Sequence, residues 1–306
     1  MGNGRWSANA WAQYNSRSIK GKSQAQIFTS RQMNAAYDPA RITVRESRDS
    51  ADNPNSTPII LASDVTGSMG MIAETLIRDG LNTLATEIYD RKPVSDPHVM
   101  IMAVGDAYTD QAPLQVTQFE ADIRVAEQAR ELYIERGGGG NGGESYSLAH
   151  LFAATKISAD AIEKHGRKGY LFTIGDEPVL DTLRREQIRR FLNIPAERDL
   201  SAAEMVEMAE RNWEVFHIVL ANEGYARRNL HSVLKTWQPI LPERTVLLED
   251  VNALAETVVS LIQVNEGAKA QDVANSWSGS TALVVANALR GVPAKKPPGG
   301  GLRRFF

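Results

Sequence analysis

Pro58-Ile59-Ile60-Leu61-Ala62-Ser63-Asp64-Val65-Thr66-Gly67-Ser68-Met69-Gly70 is the stretch on which the reading of this chain turns. Its first half is a short apolar run of the kind that forms a strand buried on both faces. Its second half is a polar turn with two glycines, which let the backbone fold closely. An amphipathic segment follows at once, MIAETLIRDGLNTLATEIYD, with Ile72, Leu76, Leu81, Leu84, Ile88 and Tyr89 near helical spacing. Strand, oxygen-rich turn and helix is therefore the first unit.

The same alternation repeats downstream. HVMIMAVGDA (98–107), GYLFTIGDEP (169–178), WEVFHIVLAN (213–222) and ERTVLLED (243–250) read as buried strands. LQVTQF (114–119) is less apolar and suits a sheet edge. Helices are expected over 119–135, 146–157, 180–193, 201–212, 225–237 and 252–263. Apolar strands alternating with amphipathic helices predict an α/β fold: a doubly wound, mostly parallel open sheet with helices on both faces. Ligands of such sheets gather beyond the carboxyl ends of the strands, near the point where strand order reverses. The expected organisation is a basic arm and linker over 1–57, the α/β domain over 58–264, and a C-terminal extension over 265–306. Within the flanks, a helix is expected around 9–17, a strand around 41–45, and a short helix over 281–290.

The turn after the first strand carries the chemistry. Asp64, Thr66 and Ser68 stand two residues apart, so a tight turn can bring their oxygens to one point. Hard oxygen donors suit Mg²⁺, with Mn²⁺ or Ca²⁺ as alternatives. Three residues do not complete six coordination positions, so other loops, water or a partner must contribute. The same residues would also serve as an N-cap for the following helix.

Asp64-Val65-Thr66-Gly67-Ser68 after a buried strand resembles the D-x-(S/T)-x-S signature of von Willebrand factor type A (VWA) domains, of the intracellular bacterial kind. The resemblance spans about 58–264 and implies the doubly wound sheet together with a metal-ion-dependent adhesion site (MIDAS). It further implies that Asp176, in Thr173-Ile174-Gly175-Asp176-Glu177-Pro178 at the exit of the fourth strand, helps hold the ion through water. Glu177 is a lesser candidate. The family's remaining threonine ligand has no counterpart: the corresponding loop, 137–147, contains none. Asn141, Glu144 and Ser145 are its possible oxygen donors. Asp106, after the second strand, either faces the metal or caps its own turn. In the family a partner's Asp or Glu fills the open coordination position, which makes the domain a binding module rather than an enzyme. The implied partner to test first is a ring-shaped MoxR-type AAA+ ATPase.

Composition narrows the field around this reading. The chain has 306 residues, 42% hydrophobic and 23% charged, an ordinary globular balance. It has no cysteine, which excludes disulfides, thiolate metal sites and a cysteine nucleophile. GGGGNGG lacks the Gly-Lys-Ser/Thr ending of a phosphate loop. Ser68 is not in a G-x-S-x-G context. The histidines at 98, 150, 165, 217 and 231 form no ligand pair at helical spacing. Neither a signal peptide nor a membrane span is expected, which fits a cytoplasmic protein.

The formal net charge of −3 hides an asymmetry. Arg5, Arg17, Lys20, Lys22 and Arg31 near one end, and Arg290, Lys295, Lys296, Arg303 and Arg304 near the other, stand among no acids. The remaining 24 basic residues face 37 acidic ones, so the body carries about −13. The basic ends can pack on their own body or join copies into a homo-oligomer; without a nucleic-acid motif, nucleic acid is not the expected partner. Two further readings stay open: a Mg²⁺-dependent hydrolase using Asp64, Asp106 and Asp176, and a structural assembly protein held together by its arms.

Overall fold

A computed structural model describes residues 4–65, 70–135 and 142–293, with only the backbone of 70 and 71. Six strands form the central sheet: β1 (Thr57–Asp64), β2 (Pro97–Val104), β3 (Leu114–Val116), β4 (Gly169–Gly175), β5 (Trp213–Leu220) and β6 (Thr245–Leu248). Their order across the sheet is β6-β5-β4-β1-β2-β3. All neighbours are parallel except β2 and β3, whose antiparallel register places Met102 opposite Val116. The fold is thus α/β with a mostly parallel sheet, and the strand at 114 lies at an edge, as its weaker apolar character predicted.

Every residue of β1, β2, β4 and β5 is buried. The period of two distributes them between two cores. Ile59 and Leu61 face one, with Ile72, Leu84, Val258 and Ile262; Ile60 and Ala62 face the other, with Leu148, Phe152, Met205 and Val206. Both faces are therefore covered by helices, which is why these strands read as unbroken apolar runs. Each fully buried Ile or Phe contributes about 1.5–3 kcal/mol of transfer free energy. Strand order reverses direction between β1 and β4, whose ends lie side by side: Ser63 pairs with Ile174.

Several elements depart from expectation. The helix expected over 119–135 is confined to Arg124–Arg130. Glu120 instead bridges to Val99, and Asp122 accepts a hydrogen bond from the Arg124 backbone N–H at 3.0 Å, so the helix starts late. The helix expected over 180–193 is confined to Arg185–Leu192, because Thr182–Leu183 pairs with Leu200–Ser201. The segment after the first turn is helical over Gly70–Thr75 and Leu81–Arg91, joined by a π-helical turn at Leu76–Gly80. The strand expected over 41–45 forms at Arg45–Ser47, parallel to Ile157–Ala159.

The N-terminal segment lies on the body. Trp11, Ile19, Ile27, Phe28 and Tyr37 join the first core. Tyr14 donates its hydroxyl to the Ala126 carbonyl at 3.2 Å, and Tyr37 donates to Glu131 at 2.9 Å. Lys156, nearly buried, donates to the carbonyls of Pro39 (2.8 Å) and Ile42 (2.6 Å). After the sheet, Ala270–Asn275 and Gly279–Ala288 are helical and bury Val273, Ala274, Val285 and Ala288 in the first core. No helix among the described residues is long and apolar enough to cross a membrane.

Candidate functional site

Acidic side chains gather at the carboxyl ends of β1 and β4, the place where strand order reverses. Asp64 ends β1 and is wholly buried; Asp176, one residue beyond β4, is 2% exposed. The Asp176 carboxylate sits at the start of the helical segment Ala226–Trp237, which is kinked at Asn229. Its Oδ2 accepts the Tyr225 backbone N–H, and the Ala226 N–H also favours its charged form. Burial is nonetheless the largest influence and pushes the Asp176 carboxyl above its ordinary value. Asp176 Oδ1 is buried and has no hydrogen-bond partner among the described residues.

Tyr146, fully buried, stands between these strand ends. Its hydroxyl lies over Gly175, at a distance that leaves no room for a Cβ there. Burial raises the phenol well above its usual range, and the charges of Asp64, Asp176, Glu144 and Glu177 raise it further. Four carboxylates thus act on one phenol. Glu177 is pushed up to about 6, first by burial and then by the negative charges of Asp176 and Asp106.

The loop after 141 is fastened to the loop after β4. The Glu144 N–H donates to the Pro178 carbonyl at 3.0 Å, and the Leu180 N–H donates to the Glu144 carbonyl at 3.1 Å. Gly143 meets the chain so closely that a Cβ would fall 2.6 Å from the Pro178 carbonyl oxygen, which explains a glycine there. Trp237 and Thr236 hold the same stretch from the other side: Trp237 Nε1 donates to the Glu177 carbonyl at 3.3 Å, and the Val179 N–H donates to Thr236 Oγ1 at 3.2 Å.

Asp106 is buried at the same edge and works in its own turn. Its Oδ1 accepts the Tyr108 N–H at 3.0 Å and its Oδ2 accepts the Thr109 hydroxyl at 2.8 Å. These two bonds cap the turn that Asp106 opens. Ser145 ties it to the neighbouring loop, donating to Asp106 Oδ1 at 3.4 Å and accepting the Ala107 N–H at 2.9 Å.

Asp64, Asp176 and Glu144, with Asp106 alongside, are thus brought to one edge. Thr66, Ser68 and Asn141 lie outside the described residues. Among the described residues, no three His, Cys, Asp or Glu side chains form a cluster able to hold an ion. The donors at this edge are carboxylate and hydroxyl oxygens, the chemistry of Mg²⁺ or Ca²⁺ rather than of thiophilic metals. A cation here would find a buried carboxylate oxygen that is still unpartnered, so the residues present are compatible with one.

Sequence reasoning did not find the layer beneath. The His217 ring stacks on Trp237 with centroids 3.5 Å apart, and Tyr146 meets both edge-on at 5.2 and 5.4 Å. His217 shares a 2.9 Å hydrogen bond with Thr173 Oγ1. His150 lies 6.3 Å from Trp237, with no partner for either ring nitrogen among the described residues. Burial drives the His150 pKa down to about 3 and His217 well below its ordinary value, so both are neutral. The available signal was His217 itself, a titratable residue inside the apolar run WEVFHIVL.

No protein-family model matches the chain, and no curated protein matches it. Two crystal structures of the pilus adhesin SpaC from Lactobacillus rhamnosus GG overlap with 72% of it. The open conformation gives a TM-score of 0.42 at 11% identity, and the second form 0.44 at 12%. The overlap spans about a third of the adhesin, 31% and 32% of its chain. A likeness at this level assigns neither family nor function.

Proposed function

We propose that this chain is a VWA-like, metal-dependent protein-interaction module whose doubly wound sheet presents a MIDAS-type site at its carboxyl edge. The observation that carries the reading is the convergence of Asp64 and Asp176, buried at adjacent strand ends and both acting on the Tyr146 phenol. Carboxylates collected without exposure to water are costly unless a positive charge joins them. Asp64 and Asp176 would hold the ion together with Thr66 and Ser68 of the signature, and Glu144 or Asn141 is the donor in place of the missing threonine. Mg²⁺ is the expected ion.

When bound, the cation supplies a coordination position for an Asp or Glu of a protein partner. The chain's own residues prepare that position. The Tyr225 N–H fixes the Asp176 carboxylate. The Glu144–Leu180 pairing holds two loops in register. Tyr146 and the Trp237–His217 stack keep water from beneath.

The first partner to test is a MoxR-type AAA+ ATPase. Affinity purification with Mg²⁺ and with chelator, on wild type and Asp64→Ala, is the experiment. Partners that elute with chelator and are absent from folded Asp64→Ala support the proposal; partners retained in both cases refute it.

A further inference from the structure

The place of the Tyr146 hydroxyl is set from three sides. Tyr146 directly precedes the helix Ser147–Thr155 and is fully buried. His217 and Trp237 meet its ring edge-on, with centroids 5.2 and 5.4 Å away, and hold the ring in one orientation. The phenol oxygen then falls where the Cβ of any residue larger than glycine at 175 would stand.

That spot adjoins Asp64. Ser63 pairs with Ile174, so Asp64 and Gly175, one step further on, stand side by side at the ends of β1 and β4. Neighbouring strands lie about 4.8 Å apart, and side chains alternate between the two faces. Ala62, two residues before Asp64, and Leu171, four before Gly175, both belong to the second core, as does Tyr146. Alternation therefore turns Asp64 and the bare side of Gly175 towards that same core, where the phenol lies. After burial, the charge of Asp64 acts on the phenol most, ahead of Asp176, Glu144 and Glu177.

A second observation concerns hydrogen bonding. The Tyr146 hydroxyl has no partner among the described residues. A buried hydroxyl left so costs about 1–3 kcal/mol. Phenylalanine would fill the same space without that cost, so packing does not account for the oxygen. What surrounds it are carboxylates, which are acceptors, and the O–H is a donor. Carboxylates that ligate an ion are themselves hydrogen-bonded from behind, and losing such a contact weakens ion binding about 10- to 100-fold.

We propose that Tyr146 is a positioning residue of the ion site: its hydroxyl donates to the Asp64 carboxylate and thereby fixes the oxygen that faces the cation. The inference rests on the reading of this edge as an ion site. Tyr146 touches neither ion nor partner and acts through Asp64. Gly175 serves the site as well, because it leaves the hydroxyl its place beside Asp64.

The test is calorimetric titration of the full chain with Mg²⁺, on wild type, Asp64→Ala and Tyr146→Phe, with thermal melts in chelator and near-ultraviolet difference spectra. Tyr146→Phe should be as stable as wild type in chelator, or more so, and yet bind Mg²⁺ at least about tenfold more weakly. Mg²⁺ should give wild type a tyrosine difference band that Tyr146→Phe lacks; a tyrosine that only fills space would show neither effect. Undiminished affinity in Tyr146→Phe, or a band that persists in it, while Asp64→Ala abolishes binding, would overturn the role of Tyr146 and leave the ion site standing. Absence of Mg²⁺ binding to wild type would overturn both.

Discussion

The hydroxyl of Tyr146 occupies the space that a side chain at Gly175 would need. One residue at the end of β4 must therefore be glycine because a tyrosine at the start of the preceding helix, Ser147–Thr155, reaches across it. Gly175→Ala is expected to cost about 1–3 kcal/mol, as overpacking does. Tyr146→Phe alone should be neutral or mildly stabilising, since it deletes a buried hydroxyl with no partner among the described residues. In the Tyr146→Phe background the Gly175→Ala cost should fall by about 1 kcal/mol, a coupling that a double-mutant cycle reads from denaturant melts. Equal costs in both backgrounds would contradict the contact.

The buried histidines set an acid limit on stability. His150 titrates near 6.5 when unfolded and near 3 when folded. Between those values the unfolded chain binds the proton and the folded chain does not. Stability is therefore whole above about pH 6.5 and declines as pH falls, by up to about 1.4 kcal/mol per pH unit per histidine. Glu177, pushed up to about 6, acts in the opposite direction over part of that window. The difference between wild type and His150→Leu isolates the histidine: the variant should lose less stability from pH 6.5 to 4.5. Parallel curves would refute it.

Asp176 should behave oppositely with and without a cation. In chelator, Asp176→Asn removes a desolvated charge while an amide oxygen still accepts the Tyr225 N–H, so stability should rise by about 1 kcal/mol. In Mg²⁺ the order should reverse, because wild type alone gains binding free energy, about 2.7 kcal/mol at a hundredfold excess over Kd. Thermal melts in the two buffers check this. An unchanged ranking would speak against an ion at Asp176.

Lys156 holds the N-terminal segment through two carbonyls. Lys156→Met keeps much of the apolar stem and deletes the donor. A loss of about 1.5–3 kcal/mol is expected, the range for hydrogen bonds to charged groups. Limited proteolysis should cut first between residues 36 and 45. Wild-type cleavage kinetics would contradict this clamp.

Much of the sheet was legible because β1, β2, β4 and β5 are buried on both faces, so each is an unbroken apolar run whose reading needs no partner. Edge strand LQV was legible for the opposite reason. What escaped was tertiary. Trp11, Ile19, Ile27 and Phe28 follow no single period, and only the body they pack against makes them core. The late start of the Arg124–Arg130 helix depends on Glu120 pairing with Val99, a contact 21 residues apart in sequence. Asp64, Asp106, Glu144 and Asp176 could be nominated from strand ends and loops. Tyr146 could not, since a tyrosine at a helix start carries no mark of the carboxylates that fold places around it.

Calorimetric titration of Mg²⁺ into wild type, Asp64→Ala and Asp176→Ala tests the central claim most directly. The account predicts saturable binding near one ion per chain, lost in either variant while both remain folded. Absence of binding to wild type, or binding that survives both substitutions, would contradict it.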